Sequence, residues 1–322
     1  MKATKIISAC AVLVALASCS NDHVISQPGA EDTPIRIQAN VGAVTTKAAS
    51  DIQGSQFVNG ESVNVYIYEN TTNAGSSSGK NYGTNGLVKC TADGSGNLNP
   101  GSIFYPQNGN GIDVYGVYPI SVTEKSSQFD FSVQTNQSED TDYKASDLMY
   151  ASCETNHTKG TPVLLTFKHK LSKVTVELVN GNGFQPADLD GAEIKIMNTY
   201  NGCTISKLDK TGIDPITCNS SSAQNAITVG TWSSSSSNKL SAIVIPQTVN
   251  KGNVLFEVKL AGTTNPYKYT IPSGGSDVIF AESNEYKYKL TIKIDGIDVK
   301  SDITPWTDAT GGTPIGGDAT LQ

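Results

Sequence analysis

The sequence predicts an all-β protein with a sandwich architecture, and three observations support this prediction. Apolar side chains recur at every second residue in many short segments, which is the period of a strand with one buried face. Clusters of glycine, asparagine and serine separate these segments and supply the backbone freedom that turns need. The 30 glycines and the charged fraction of 16% leave little uninterrupted sequence for helices.

The chain begins with a predicted lipoprotein signal peptide, residues 1–18. Two lysines precede an apolar run at 6–16, which has the length of a signal-peptide core and is too short to span a bilayer. The run ends in the sequence LASC, which resembles a bacterial lipobox. We therefore expect cleavage between Ser18 and Cys19 and attachment of diacylglycerol to the Cys19 thiol. The alternative is an ordinary secretory signal peptide that happens to hold a cysteine.

The mature chain is long enough for two domains. Residues 19–33 are predicted to be a polar tether, residues 34–159 an N-terminal β-sandwich domain, and residues 160–322 a C-terminal β-sandwich domain with a glycine-rich tail. We place the boundary just before a long predicted strand. The alternation in that strand changes phase at Ser172-Lys173, which is typical of a β-bulge.

Several segments show the alternation of half-buried antiparallel strands. Their inward positions are Ile35, Ile37, Ala39 and Val41; Val63, Val65 and Ile67; Val174, Val176 and Leu178; Ile194 and Ile196; Val254, Phe256, Val258 and Leu260; and Tyr286, Tyr288, Leu290, Ile292 and Ile294.

The cysteines and histidines form no metal-binding pattern. Four cysteines remain beyond Cys19, none with CxxC spacing, and the chain has three histidines, so we expect no metal and no cofactor. A disulfide between Cys203 and Cys218 across a predicted hairpin is one interpretation, and four separate thiols are an equally supported one. His169 has inward parity in its strand, and we expect a hydrogen-bonded, half-buried histidine there.

Charge and motifs also narrow the function classes. The formal net charge of -7 argues against a nucleic-acid partner. Arg36 is the sole arginine, so bidentate clamps for phosphate are absent and phosphoryl transfer is disfavoured. No nucleophile, metal or cofactor motif stands out, and we therefore expect a protein that is not an enzyme.

Short motifs follow one another along nearly the whole mature chain. After the lipobox come FVNGE at 57–61, FYP at 104–106, DLMYA at 147–151, LTFKHKLSKV at 165–174 and ITPW at 303–306. In this order and spacing they resemble the fimbrillin family of Bacteroides-type type V pilins, including its Mfa-like members. The resemblance implies two sequential transthyretin-like β-sandwich domains, export as an outer-membrane lipoprotein, and assembly with other pilin subunits into surface filaments.

The resemblance also implies a maturation step. Fimbrillins are cut by a trypsin-like surface protease after a basic residue that follows the first strand, and the emptied groove accepts a strand from a neighbouring subunit. The matching position here is Lys47 followed by Ala48, although family members commonly have arginine. The exchanged strand would contain Ile35, Ile37, Ala39 and Val41. The alternative is that this segment is the first strand of a finished sandwich and that Lys47 is an ordinary loop lysine.

A second function class stays open at this point. Exposed tyrosines such as Tyr66, Tyr68 or Tyr267 could stack on sugars in an anchored glycan-binding or adhesive lipoprotein that does not polymerise. Trp306 is expected to lie in the core or at a domain edge. The tail after Trp306 shows only weak alternation, which leaves shaft, tip and accessory subunits of a fimbria, with or without a host or bacterial surface ligand, as interpretations.

Overall fold

The computed structural model describes residues 32–42, 55–71, 79–221, 223–234 and 240–306. The regular structure of these residues is almost entirely strand, with one short α-helix and one 3-10 helix at Pro186–Leu189, so the predicted all-β class is confirmed. Those after Asp32 belong to one compact unit. No helix in the described ranges is both long enough and apolar enough to cross a lipid bilayer.

The first half of the chain closes into a barrel. All its strands except β6 hydrogen-bond in the order β1-β4-β3-β2-β5-β7-β8, and β8 returns to β1. The elements are β1 (Ile37–Val41), β2 (Ser62–Glu69), β3 (Leu87–Ala92), β4 (Asn97–Asn99), β5 (Ile112–Tyr118), β6 (Phe129–Ser132), α1 (Asp140–Ser146), β7 (Met149–His157) and β8 (Val163–His169).

Inward-facing apolar side chains fill this barrel, as the alternation predicts. Val63, Val65 and Ile67 are fully buried inside it. At Gly116 the barrel has no room for a side chain, because a Cβ there would lie 2.3 Å from Cζ of Phe167. The glycine therefore lets the Phe167 ring occupy the barrel interior.

The second half forms the remaining sheets. Two four-stranded sheets have the orders β13-β10-β16-β17 and β14-β9-β19-β20, a three-stranded sheet has the order β12-β11-β6, and β15 pairs with β18. The strands are β9 (Ser172–Asn180), β10 (Glu193–Thr199), β11 (Gly202–Asp209), β12 (Gly212–Cys218), β13 (Asn225–Thr231), β14 (Leu240–Val244), β15 (Gln247–Val249), β16 (Val254–Lys259), β17 (Tyr267–Thr270), β18 (Val278–Phe280), β19 (Asn284–Lys293) and β20 (Gly296–Pro305).

The two four-stranded sheets share one apolar core, which is the organisation of a sandwich. Val176 and Leu290 from one sheet and Ile196 and Phe256 from the other are fully buried in it. Ile294 departs from the predicted pattern, since β19 ends at Lys293 and the Ile294 side chain is 70% exposed.

The predicted β-bulge at Ser172-Lys173 is wrong. Strand β8 ends at His169 within the barrel, and β9 begins at Ser172 in a sheet of the second half. The change of phase marks the passage of the chain from one sheet to another. The domain division at 159 stays a prediction, but β8 lies beyond it and still pairs with barrel strands.

An aromatic stack occupies the place where the chain leaves the barrel. The rings of His169 and Trp306 are parallel to within 7° and their centroids lie 3.6 Å apart. His169 Nδ1 lies 2.8 Å from Oδ1 of the fully buried Asp147, and the Trp306 amide donates to the Ser283 carbonyl at 2.6 Å. Trp306 therefore lies in the core as expected, and His169 is more buried than the half-buried residue expected.

Because Trp306 joins the end of β20 to the last barrel strand, we predict that Trp306→Ala destabilises the whole protein. The lost burial and the cavity left behind should lower the free energy of unfolding by about 3–5 kcal/mol. Urea unfolding followed by circular dichroism measures this change. Ile303→Ala, near the end of β20, is the control because Ile303 is 41% exposed, and it should change stability by no more than about 0.5 kcal/mol. Equal effects of the two substitutions would contradict the assigned role of the stack.

Candidate functional site

Strand β1 closes the barrel, and its two sides are held unequally. It runs parallel to β8 over five residue pairs, from Ile37 opposite Val163 to Val41 opposite Phe167. On its other side it pairs with β4 at only two positions, Ile37 with Leu98 and Gln38 with Asn97. The ladder with β8 is therefore the main backbone attachment of β1.

The side chains of this segment alternate as the sequence predicts. Its four inward positions are at most 3% exposed and lie in the barrel core: Ile35, Ile37, Ala39 and Val41. Arg36 and Gln38 point outwards and are exposed. Ile35 precedes the strand itself and is fixed by a hydrogen bond from its amide to the Ile103 carbonyl at 2.9 Å.

Further backbone hydrogen bonds fasten both ends of the segment. The Ala39 amide donates to the Gly96 carbonyl at 2.8 Å, and the Val41 amide donates to the Ser55 carbonyl at 3.0 Å. The Gly42 amide donates to the Phe167 carbonyl at 2.8 Å. Removal of the segment would leave these carbonyls without partners and open an apolar groove along β8.

The predicted processing residues lie outside the described residues. Ser18 and Cys19 precede Asp32, where the description begins, and Lys47 and Ala48 fall between Gly42 and Ser55. The described residues on either side of this gap, Gly42 and Ser55, both make backbone hydrogen bonds at the end of β1.

The tyrosines proposed for sugar stacking are less accessible than expected. The prediction that Tyr66 is exposed is wrong. The second half of the chain covers the outer face of β2, so Tyr66 lies in the core of the second half, where its ring stacks on that of Tyr115 with the ring centroids 4.8 Å apart. Tyr68 and Tyr267 are half-buried. Period-two alternation identifies the two faces of β2 but does not reveal that both are covered.

Tyr68 borders a polar cleft between the barrel and the turn that joins β11 to β12. The cleft has a volume of about 420 Å³ and is lined by Tyr68, Glu69, Asn70, Thr71, Gly79, Asn81, Asp113, Glu124, Asp209, Lys210 and Thr211. Tyr68 donates from its hydroxyl to Glu124 Oε2 at 2.6 Å, and burial followed by this hydrogen bond raises the pKa of Tyr68. Lys210 Nζ lies 3.6 Å from Asp113 Oδ2, so one lysine partly offsets the acidic lining.

The structure brings Cys203 and Cys218 together. They are directly opposite each other in the antiparallel pair of β11 and β12, and both are free thiols. Burial, followed by the neighbouring Cys218, raises the pKa of Cys203 to about 12.

The partners of the predicted residues escaped the sequence analysis. Asp147, which hydrogen-bonds His169, lies in the DLMYA motif but had no assigned role, and β4 and β8 were not identified as the neighbours of β1. The three-residue length of β4 makes its alternation too short to detect.

Known proteins resemble this chain in sequence and in fold. A sequence profile described as fimbrillin-like matches residues 46–306. A Bacteroides uniformis protein named "Putative fimbrium subunit Fim1C" is 26% identical over 326 aligned positions, which cover 98% of this chain and 99% of that protein.

Two solved structures have a similar fold, and each is described as a "putative cell adhesion protein". The one from Bacteroides uniformis has a TM-score of 0.61 at 21% identity, covering 85% of this chain and 99% of that one. The one from Bacteroides ovatus has a TM-score of 0.62 at 15% identity, covering 87% and 99%. The fimbrillin resemblance seen in the motifs is confirmed by the profile match over most of the sequence, and the chain belongs to the fimbrillin-like family.

Proposed function

We propose that this chain is a subunit of a surface fimbria that is exported as a lipoprotein, matured by trypsin-like cleavage and assembled by β-strand exchange. In this proposal Cys19 carries the lipid that holds the precursor on the outer membrane, and cleavage between Lys47 and Ala48 separates the lipidated peptide from the body. The observation that carries the proposal is the position of β1, which precedes every other described strand and closes the barrel.

The energetics of β1 suit a replaceable strand. Ile35, Ile37 and Val41 each contribute roughly 1.5–3 kcal/mol when their side chains are buried. Loss of the segment exposes an apolar groove and unpaired backbone groups, both of which favour binding of another strand. A strand from a neighbouring subunit would restore the burial and the hydrogen bonds, as in donor-strand complementation.

Two basic residues near β1 compete as the cleavage site. Proteases require an extended, accessible segment, and sheet hydrogen bonds protect the backbone. Arg36 is the competing trypsin-type position, but its carbonyl accepts a hydrogen bond from the Val163 amide at 2.8 Å and it directly precedes β1. Lys47 lies in a stretch of small residues that follows Gly42 in the sequence. Lys47 is therefore the better substrate.

An adhesive or glycan-binding lipoprotein that does not polymerise is the second candidate. The cleft beside Tyr68 favours it, because carboxylates, amides and a hydroxyl group converge there next to an aromatic ring. Such a protein would keep β1 after protease treatment and would bind an oligosaccharide saturably as a monomer. A protein that shows neither property is not this second candidate.

We predict that a trypsin-like protease cuts the native mature protein after Lys47 and produces a new N-terminus at Ala48. Intact-mass spectrometry identifies the cut, and light scattering follows the expected growth into oligomers. Lys47→Ala should abolish this cut, and Lys47→Arg should preserve it. Lys89→Ala is the control for loss of a surface lysine, since Lys89 is exposed on β3. A first cut after Arg36, or a cleaved monomer that keeps residues 35–41 bound, would contradict the prediction.

We also predict that the cleaved protein binds a synthetic peptide of residues 34–42 in the place of β1. An Ile37→Ala peptide should bind at least about 30-fold more weakly, because truncation of a buried isoleucine costs about 2–5 kcal/mol. A Gln38→Ala peptide is the matched control and should bind about equally, since Gln38 is exposed. Fluorescence anisotropy of labelled peptides measures the affinities. Equal weakening by both substitutions would show that the peptide does not bind in the register of β1.

A further inference from the structure

Cys203 and Cys218 occupy one particular kind of position in the antiparallel ladder. The residues that flank them are joined by a hydrogen bond from the Asn219 amide to the Gly202 carbonyl, at 3.0 Å. When the neighbours of two opposite residues are hydrogen-bonded to each other, the two residues themselves form a non-hydrogen-bonded pair. In such a pair the opposite Cα atoms approach to about 4.5 Å and the side chains are closest.

The other neighbour of β11 confirms this register. Cys203 lies opposite Phe131 of β6. Two residues further along this ladder, the Val133 amide donates to the Asn201 carbonyl at 2.8 Å. Hydrogen-bonded pairs recur at every second residue, so the backbone groups of Cys203 point towards β6 and away from β12. The pair with Cys218 is therefore free of backbone hydrogen bonds of its own.

This position satisfies the geometric requirement of a disulfide. Disulfides join residues whose Cα atoms lie about 4.4–6.8 Å apart, a range that includes the spacing of a non-hydrogen-bonded pair. Directly opposite residues also project from the same face of the sheet. Bond formation between Cys203 and Cys218 therefore requires rotation of side chains but no shift of register.

The two thiols differ in access. Cys203 is 1% exposed and belongs to the core, whereas Cys218 is half-buried against the same core. A reagent in solution therefore reaches Cys218 first. Cys153 is also half-buried, but it lies on β7 of the barrel, which pairs with β5 and β8. Cys153 is therefore an internal control for the reactivity of a half-buried thiol.

We propose that Cys203 and Cys218 form a cross-strand disulfide when the folded protein meets a disulfide oxidant. The Cys218 thiolate attacks one sulfur of the oxidant, forms a mixed disulfide and releases one thiolate. The Cys203 thiolate then attacks the Cys218 sulfur, forms the S–S bond and releases the second thiolate. The protein loses two electrons and two protons, and the oxidant is reduced to two thiols.

This bond would fasten an exposed sheet edge. Strand β12 is the edge of the sheet β12-β11-β6 and, within the described residues, pairs with β11 alone. Pro215 of β12 has no amide hydrogen, which suits an edge strand. The turn at Lys210 closes one end of the hairpin, and the disulfide would close the other end, where Cys218 ends β12.

Tryptic peptide mapping without reduction tests the proposal. The folded mature protein is incubated with oxidised glutathione, then denatured in the presence of iodoacetamide and digested. Cleavage at lysines places Cys203 in peptide 196–207 and Cys218 in peptide 211–239, and each peptide contains no other cysteine. We expect a cross-linked product of these two peptides whose mass is two hydrogens below their sum and which disappears after reduction. Cys90 and Cys153 should be recovered alkylated or as glutathione adducts.

Cys218→Ala should abolish the cross-link, whereas Cys153→Ala should leave it unchanged. Hydrogen exchange of the wild-type chain adds a second measurement, in which oxidation should slow the exchange of β12 amides on the order of a hundredfold, given the short loop that the bond closes. Recovery of both thiols alkylated after prolonged oxidation, or a cross-link of either one to Cys153, would overturn the proposal. Unchanged exchange in the cross-linked protein would overturn the proposed fastening of β12.

Discussion

The closure of the barrel by β1 is the constraint on which the rest of the first half depends. A sheet edge exposes unpaired backbone groups, and a barrel has no such edge only while its last gap is filled. Here the first described strand of the chain fills the gap, with a five-pair parallel ladder to β8 and a two-pair contact with β4. Its inward side chains complete a core to which every other barrel strand contributes. Closure of the barrel therefore depends on this one short segment staying bound.

The second half of the chain is connected to this barrel by more than a linker. Strand β6 arises between barrel strands but pairs with β11, and the outer face of β2, β5 and β7 supplies Tyr66, Tyr115 and Tyr150 to the core of the second half. The His169 and Trp306 stack adds a contact between the last barrel strand and the end of β20. None of these contacts involves β1, so the second half holds the other barrel strands independently of it.

This division of roles suits a fimbrial subunit. Under the proposed strand exchange, β1 must be bound tightly before it is replaced, yet its loss must not unfold the domain. The buried side chains of β1 and its ladder with β8 bind it tightly. On its other side, the short strand β4 forms only two residue pairs with it, so few backbone contacts must break. The walls of the groove are strands β8 and β4, each of which keeps a second neighbour in the barrel.

The sequence by itself determined the all-β class, the inward positions of β1 and β19, and the membership in a family, because these depend on local period and on motif order. The opposition of Cys203 and Cys218 was also open to prediction, since a hairpin is a local structure. Only the tertiary structure decided that the phase change after His169 is a passage between sheets, that Tyr66 is buried on the outer face of its strand, and that β1 runs parallel to β8. Each of these depends on which distant strands become neighbours, and period-two alternation carries no information about a strand's partners or about what covers its second face.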